Sequence, residues 1–111
     1  MERLRQRADF LAAASGAKTP AAGFVLQANR RRDSDGVRVG FTVSKKVCTA
    51  VERNRVRRRL REIVRLAPDA TLRPGHDYVL IGRRAALELP FAKMVEDFNR
   101  ALSRVHARAA R

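Results

Sequence analysis

The chain has 111 residues, a formal net charge of +14 and a pI near 11.7, so at neutral pH its surface is at positive potential and suits polyanionic partners. That length is one domain, and no apolar run approaches the ~20 residues that span a bilayer, which excludes a membrane-spanning helix. A single cysteine, Cys48, excludes an internal disulfide and a thiolate metal site. Lying among small and apolar residues, Cys48 is expected to be a buried or half-buried thiol. Hydrophobic residues make up 45% of the chain, but eighteen are Ala, so the core has to come from Val, Leu and the five Phe.

No apolar h-region of about 7–15 residues opens the chain, so no secretory signal is read. The Arg-rich, amphipathic start has some transit-peptide character that Glu2 and Asp9 oppose, and the expected compartment is the cytoplasm. Residues 3–14 put Leu4, Ala8 and Leu11 on one face with Phe10 and Ala14 near its edge, which predicts a short helix best formed from about Arg7. Ser15, Gly16 and the Thr19-Pro20 pair end it. From Gly23 the period changes, and FVLQANR reads as a strand. Asp35-Gly36 is a turn signal. Val37, Val39, Phe41 and Val43 then alternate with Arg38, Gly40, Thr42 and Ser44. That alternation predicts an antiparallel strand with one buried face.

Lys45-Lys46 leads into the most informative stretch, residues 49–68. Thr49 and Glu52 have the spacing of a capping box, and Pro68 stops the pattern. Between them Val56, Leu60, Ile63, Val64 and Ala67 fall within roughly a third of a helical wheel. Asn54, Arg57, Arg58, Arg61 and Arg65 fall opposite. Seven arginines lie between Arg53 and Arg65, with Glu62 as the one acid among them, placed to offset Arg58 and Arg59. Such a face repels itself unless a polyanion neutralises it, and guanidinium forks suit phosphate oxygens. Arg53 falls on the apolar side of the wheel and is expected to point toward the sheet. Nucleic acid is the partner this helix predicts.

Arg73-Pro74-Gly75 marks a further turn, and DYVLIG at 77–82 is a near-continuous apolar run, expected inside a sheet. Residues 90–107 predict a helix with Pro90 in its first turn and Phe91, Met94, Val95, Phe98, Leu102 and Val105 as its core stripe. The HARAAR tail, like residues 1–5, is expected to fray. The order α-β-β-α-β-α predicts an α+β single domain, with helices layered on a small sheet. The eleven acidic residues are scattered, with no pair at an obvious metal or acid/base spacing. His76, in a turn, and His106, in the tail, are expected on the surface. No Gly-rich phosphate loop, Cys/His cluster or nucleophile elbow occurs, so a binding partner is expected rather than a free-standing enzyme.

VGFTVSKKV (39–47), AVERNRVRRRLRE (50–62) and DYVLIGR (77–83) together closely resemble the protein subunit of bacterial ribonuclease P. Arg53-Asn54-Arg55, followed by basic residues and Leu60-Arg61-Glu62, resembles that family's signature. With the Asp9-Phe10 helix and the FVL strand, the resemblance spans about residues 3–103. It implies an α-β-β-β-α-β-α fold with a four-stranded sheet, related to domain 2 of ribosomal protein S5. The extra strand would lie near Ala17–Ala21, and the crossover would be left-handed. It also implies a protein that is inactive alone. A catalytic RNA holds the Mg2+ ions and removes the 5′ leader of precursor tRNA, with one protein expected per RNA.

Carried over residue by residue, the resemblance makes Lys45, Lys46, Arg53, Asn54, Arg55, Arg57, Arg58, Arg61 and Arg65 the contacts to RNA. Phe10, Phe24, Gln27, Thr42 and Ser44 become the leader cleft, with core packing as the alternative for either Phe. Ala14 and Gln27 stand where aromatics are frequent in the family, so leader grip is expected to lean on charge and hydrogen bonds. Protein-bound metal positions stay unassigned. A ribosomal-type structural RNA-binding protein is the alternative function. A DNA-binding helix module fits less well, because strands separate the helices.

Overall fold

The computed structural model describes residues 2–4, 6–31, 36–46, 49–67 and 72–109. Cys48, Asp35 and the Pro68 stop lie outside the described residues. Among the described residues five strands form one sheet: β1 (Glu2–Arg3), β2 (Ala17–Pro20), β3 (Phe24–Arg30), β4 (Arg38–Val43) and β5 (His76–Gly82), in the order β1-β4-β5-β3-β2. The helices are α1 (Arg7–Ala14), α2 (Ala50–Leu66) and α3 (Phe91–Ala109), with a 3-10 turn at Arg84–Leu87.

The apolar run of β5 takes the middle of the sheet, between β4 and β3, where a strand covered on both faces belongs. Gly75, in the predicted turn, precedes it with φ of 75°, a left-handed conformation that glycine admits. β2 is present where the resemblance puts it, antiparallel to β3. β4 departs from the antiparallel expectation: it runs parallel to both β1 and β5. Side-chain alternation reports a buried face but carries no direction, and here the crossover through α2 sets it.

Both expected frayed ends are partly structured. Glu2–Arg3 adds a fifth strand beside β4, Leu4 continues it by donating its amide to the Val39 carbonyl at 2.9 Å, and the Leu4 side chain is buried. α3 runs on through Ala109.

Strand alternation gives the sheet two covered faces. On one, Phe24, Leu26, Val39, Val43, Tyr78 and Leu80 pack beneath the predicted stripes of α2 and α3. On the other, Leu4, Ala13 and Val79 form a smaller cluster with Phe10 and Ile81 against it. α1 buries Ala13 and leaves Leu11 58% exposed, reversing the predicted face. That wheel counted from Leu4, which precedes the helix and so sets no phase for it.

The two histidines are buried, against the surface placement read from the sequence. His106 lies four residues past Leu102, on the packed face of a helix that does not fray there. Its Nε2 is 2.6 Å from the Tyr78 hydroxyl, which also accepts the Arg73 amide at 3.0 Å. With the Arg73 amide already on the Tyr78 oxygen, a Tyr78 proton given to Nε2 would leave the His106 proton on Nδ1. His76 stacks on Tyr78 with the ring centroids 5.9 Å apart.

Candidate nucleic-acid interface

The capping box of α2 is formed from both sides. Thr49 Oγ1 accepts the Glu52 amide at 3.2 Å, and Glu52 Oε1 accepts the Thr49 amide at 2.9 Å. The Thr49 amide, and after it Arg84 at 3.0 Å, hold the Glu52 carboxyl below its ordinary range. Val56, Leu60, Ile63 and Val64 are buried as predicted. A Cβ on Gly82 would lie 2.5 Å from Val56 Cγ1, so glycine at the end of β5 lets the helix seat directly on the sheet.

The arginines of α2 divide into different jobs. Arg59 turns inward and donates to the carbonyls of Ala86 and Leu89, both at 2.6 Å, tying α2 to the 3-10 turn. Arg65 is ion-paired with Glu62, which corrects the expectation that this acid offsets Arg58 and Arg59. The i,i+3 neighbour toward the C-terminus was open to Glu62 as well. The Arg65 guanidinium holds the Glu62 carboxyl below its ordinary range. Arg55, Arg58 and Arg61 are exposed. Arg57 donates to Asn54 Oδ1 at 2.8 Å, which fixes that guanidinium and leaves the Asn54 amide hydrogens for a ligand. Arg53 is half-buried, in keeping with its place on the wheel. Lys45 and Lys46 are exposed in the turn before α2, and Ser44 Oγ braces that turn by accepting the Lys46 amide at 3.1 Å.

On the opposite face the strand register lays out the rows beside α1 where the resemblance puts the leader cleft. Lys18, Gln27, Val79 and Gly40 form one lateral row, over which Leu4, Phe10 and Ala13 pack. A Cβ on Gly40 would fall 2.7 Å from the Phe10 ring, so Gly40 is the seat of that ring. The next row, Pro20, Val25, Ile81 and Thr42, remains partly open along α1. Phe10 and Thr42 therefore border the cleft, Gln27 is buried within its base, and Ser44 stands exposed beyond the end of β4.

Phe24 is not part of the cleft. It is fully buried on the other face, in an edge-on contact with Phe98 at 6.2 Å. Phe24 and Gln27 are three residues apart in one regular strand, and a period of two puts them on opposite faces. Only one of them could line the cleft.

Sequence reading passed over the third row. Asp77 is 1% exposed and pairs with Arg38 at 2.8 Å and with Arg31, while Arg38 also reaches Asp9 of α1 at 3.4 Å. Hydrogen bonding to Asp77 holds the Arg38 guanidinium above its ordinary range. This network ties α1 to the sheet beside the cleft. Its sequence signal was an aspartate heading an apolar strand, a residue that needs partners when buried. Among the described residues no group of three or more His, Cys, Asp or Glu is placed to hold a metal.

Arginines aligned on a capped helix, on a small sheet with a second helix-covered face, define a small basic α+β protein suited to nucleic acid. Comparison with known proteins gives the particular family. The family model for Ribonuclease P matches residues 1–106. The ribonuclease P protein component of Gluconacetobacter diazotrophicus is 51% identical over 109 residues, covering 97% of this chain and 94% of that one. That of Ruegeria pomeroyi is 49% identical over 107 residues, covering 94% and 86%. The fold is similar to the ribonuclease P protein of Thermotoga maritima, with a TM-score of 0.77 at 30% identity over 95% of this chain and 98% of that one. It is also similar to that of Staphylococcus aureus, with a TM-score of 0.76 at 26% identity over 93% and 94%. The chain belongs to the ribonuclease P protein family.

Proposed function

We propose that this chain, the protein subunit of an RNA-based ribonuclease P, holds the catalytic RNA with the outward arginines of α2 and the 5′ leader of precursor tRNA in the cleft beside α1. The observation that carries this reading is the division of labour on α2. Arg59 turns into the protein, while Arg55, Arg58, Arg61 and the Glu62-paired Arg65 are exposed and Arg57 is braced by Asn54. Lys45 and Lys46 extend the charge from the N-terminal end of the helix. In the cleft, the Phe10 ring, Val25 and Ile81 supply apolar surface for bases, and Thr42 a hydroxyl.

Catalytic Mg2+ belongs to the RNA. The protein's contribution is to lower the electrostatic cost of bringing two polyanions together and to fix the leader. One protein per RNA, acting in the cytoplasm and away from membranes, completes the reading. The test is reconstitution. The purified chain is expected to leave precursor tRNA intact, and with ribonuclease P RNA to raise 5′ cleavage most at low Mg2+, where ionic screening is weakest. Robust 5′ cleavage by protein freed of RNA would overturn it.

A further inference from the structure

β2 is an end strand of the sheet, and α3 runs beside it. Between them lies a pocket of about 220 Å³ lined by Thr19 and Pro20 of β2 and by Lys93, Asp97, Arg100 and Arg104 of α3. Spacings of four, three and four residues put these α3 side chains on one helix face. Asp97 is shared between Lys93 at 3.4 Å and Arg100 at 3.8 Å, while Arg104 has no ion pair among the described residues. Three cations thus face one carboxylate.

Thr19 supplies a second, independent observation. It is 2% exposed, and its hydroxyl is the one buried side-chain polar atom among the described residues with no hydrogen-bond partner. Valine has the same shape and suits a strand equally well, so folding gives no reason for the hydroxyl. An anionic oxygen in the pocket would accept its proton and bind the guanidinium forks of Arg100 and Arg104. The volume is below the ~300–1,000 Å³ of small-molecule sites, which fits a single phosphate group of a strand passing outside.

We propose that this pocket binds a backbone phosphate of RNA, as a second contact separate from α2. It rests on the reading of the chain as a ribonuclease P subunit. β2 is three strand spacings from β4, about 14 Å, so the two contacts bracket the sheet from either side. No residue is shared between them.

The experiment measures salt-dependent affinity of the full chain for ribonuclease P RNA, and of the assembled holoenzyme for precursor tRNA. The double variant Arg100→Gln/Arg104→Gln should lower the slope of log K against log salt by about 0.7–0.9, the share of one phosphate, for whichever RNA fills the pocket. Thr19→Val should weaken the same affinity about three- to tenfold without lowering the melting temperature. Two comparisons make the outcome decisive. If Arg57→Gln/Arg61→Gln lowers the slope and Arg100→Gln/Arg104→Gln does not, the pocket is overturned and the α2 interface stands. If neither pair lowers it, the reading of the chain as an RNA-binding subunit falls, and the pocket with it. An equal drop from Arg3→Gln/Arg30→Gln, a control of the same net charge, would leave only diffuse attraction and likewise overturn the site.

Discussion

At the scale of single residues, the cleft depends on Phe10 and Gly40 as a pair. Phe10 is half-buried because Gly40 admits its ring, and the remaining surface faces the open row of Val25, Ile81 and Thr42. Phe10→Ala should therefore weaken holoenzyme binding of leader-bearing precursor more than of mature tRNA, by on the order of 1–3 kcal/mol for one lost stacked base. Its cost to folding should be below the ~3–5 kcal/mol of a fully buried Phe. Binding and melting curves on the same preparation check this. Equal loss for both tRNAs, together with a lower melting temperature, would make Phe10 a packing residue only. Phe10 and Phe24 were alike in composition terms, and parity within the strand separates Phe24 from the cleft. Gly40 was legible only as a glycine inside a strand, a sign of close approach that does not name the approaching group. The Asp9–Arg38–Asp77–Arg31 network joins residues far apart in sequence, and no local pattern announces it.

Among the elements, α2 was the most readable, since capping, period and stop are local. Its cap is the one the sequence predicts, and so is its buried stripe up to Val64, while Ala67 falls just past the helix end at Leu66. Strand direction was not readable, because β4 becomes parallel to β5 only through the crossover between them. The role of each arginine was partly readable: the wheel separates buried from outward positions but does not show that Arg59 caps carbonyls or that Arg65 pairs with Glu62. These assignments sharpen the choice of mutations. Replacing Arg57, Arg58 and Arg61 with Gln removes three charges opposite or beside the buried stripe, and Gln is a good helix former, so the fold should persist. Losing three like charges should hold or slightly raise the melting temperature. Affinity for ribonuclease P RNA should fall steeply, and the salt slope by roughly 2–2.7 if each arginine meets one phosphate. Arg3, Arg7 and Arg30, changed to Gln together, provide a control of equal net charge away from this face. The same loss in both triple variants would reduce α2 to one basic surface among several.

For the whole molecule, the packing of α3 against the sheet contains a titratable joint. The Tyr78 hydroxyl links the Arg73 amide on one side to His106 Nε2 on the other, joining the loop before β5, the central strand and the last helix. Burial, with Arg73 and His76 nearby, pushes the His106 imidazole down to about 4 from its ordinary 6.5. Burial also raises the Tyr78 phenol, so it stays a protonated donor across the acid range. An imidazole depressed in the folded state favours folding while it is neutral. Its contribution is complete above the unfolded value of 6.5 and is lost as pH falls through that value toward about 4. The loss over this window should reach up to about 3 kcal/mol, from roughly 1.4 kcal/mol per pKa unit. Glu52 and Glu62, both lowered from 4.5, begin to lose their own contributions only as pH falls through that value, at the acid end of the His106 window. Urea unfolding at a series of pH values from 7.5 to 4 (a range chosen for the measurement) should show stability falling in the wild-type chain. His106→Gln keeps an oxygen to accept the Tyr78 proton and cannot titrate, so it should be less stable at pH 7 but flatter with pH. If the variant and the wild type lose stability in parallel, acid sensitivity lies elsewhere, and Tyr78–His106 is a hydrogen bond without a switch.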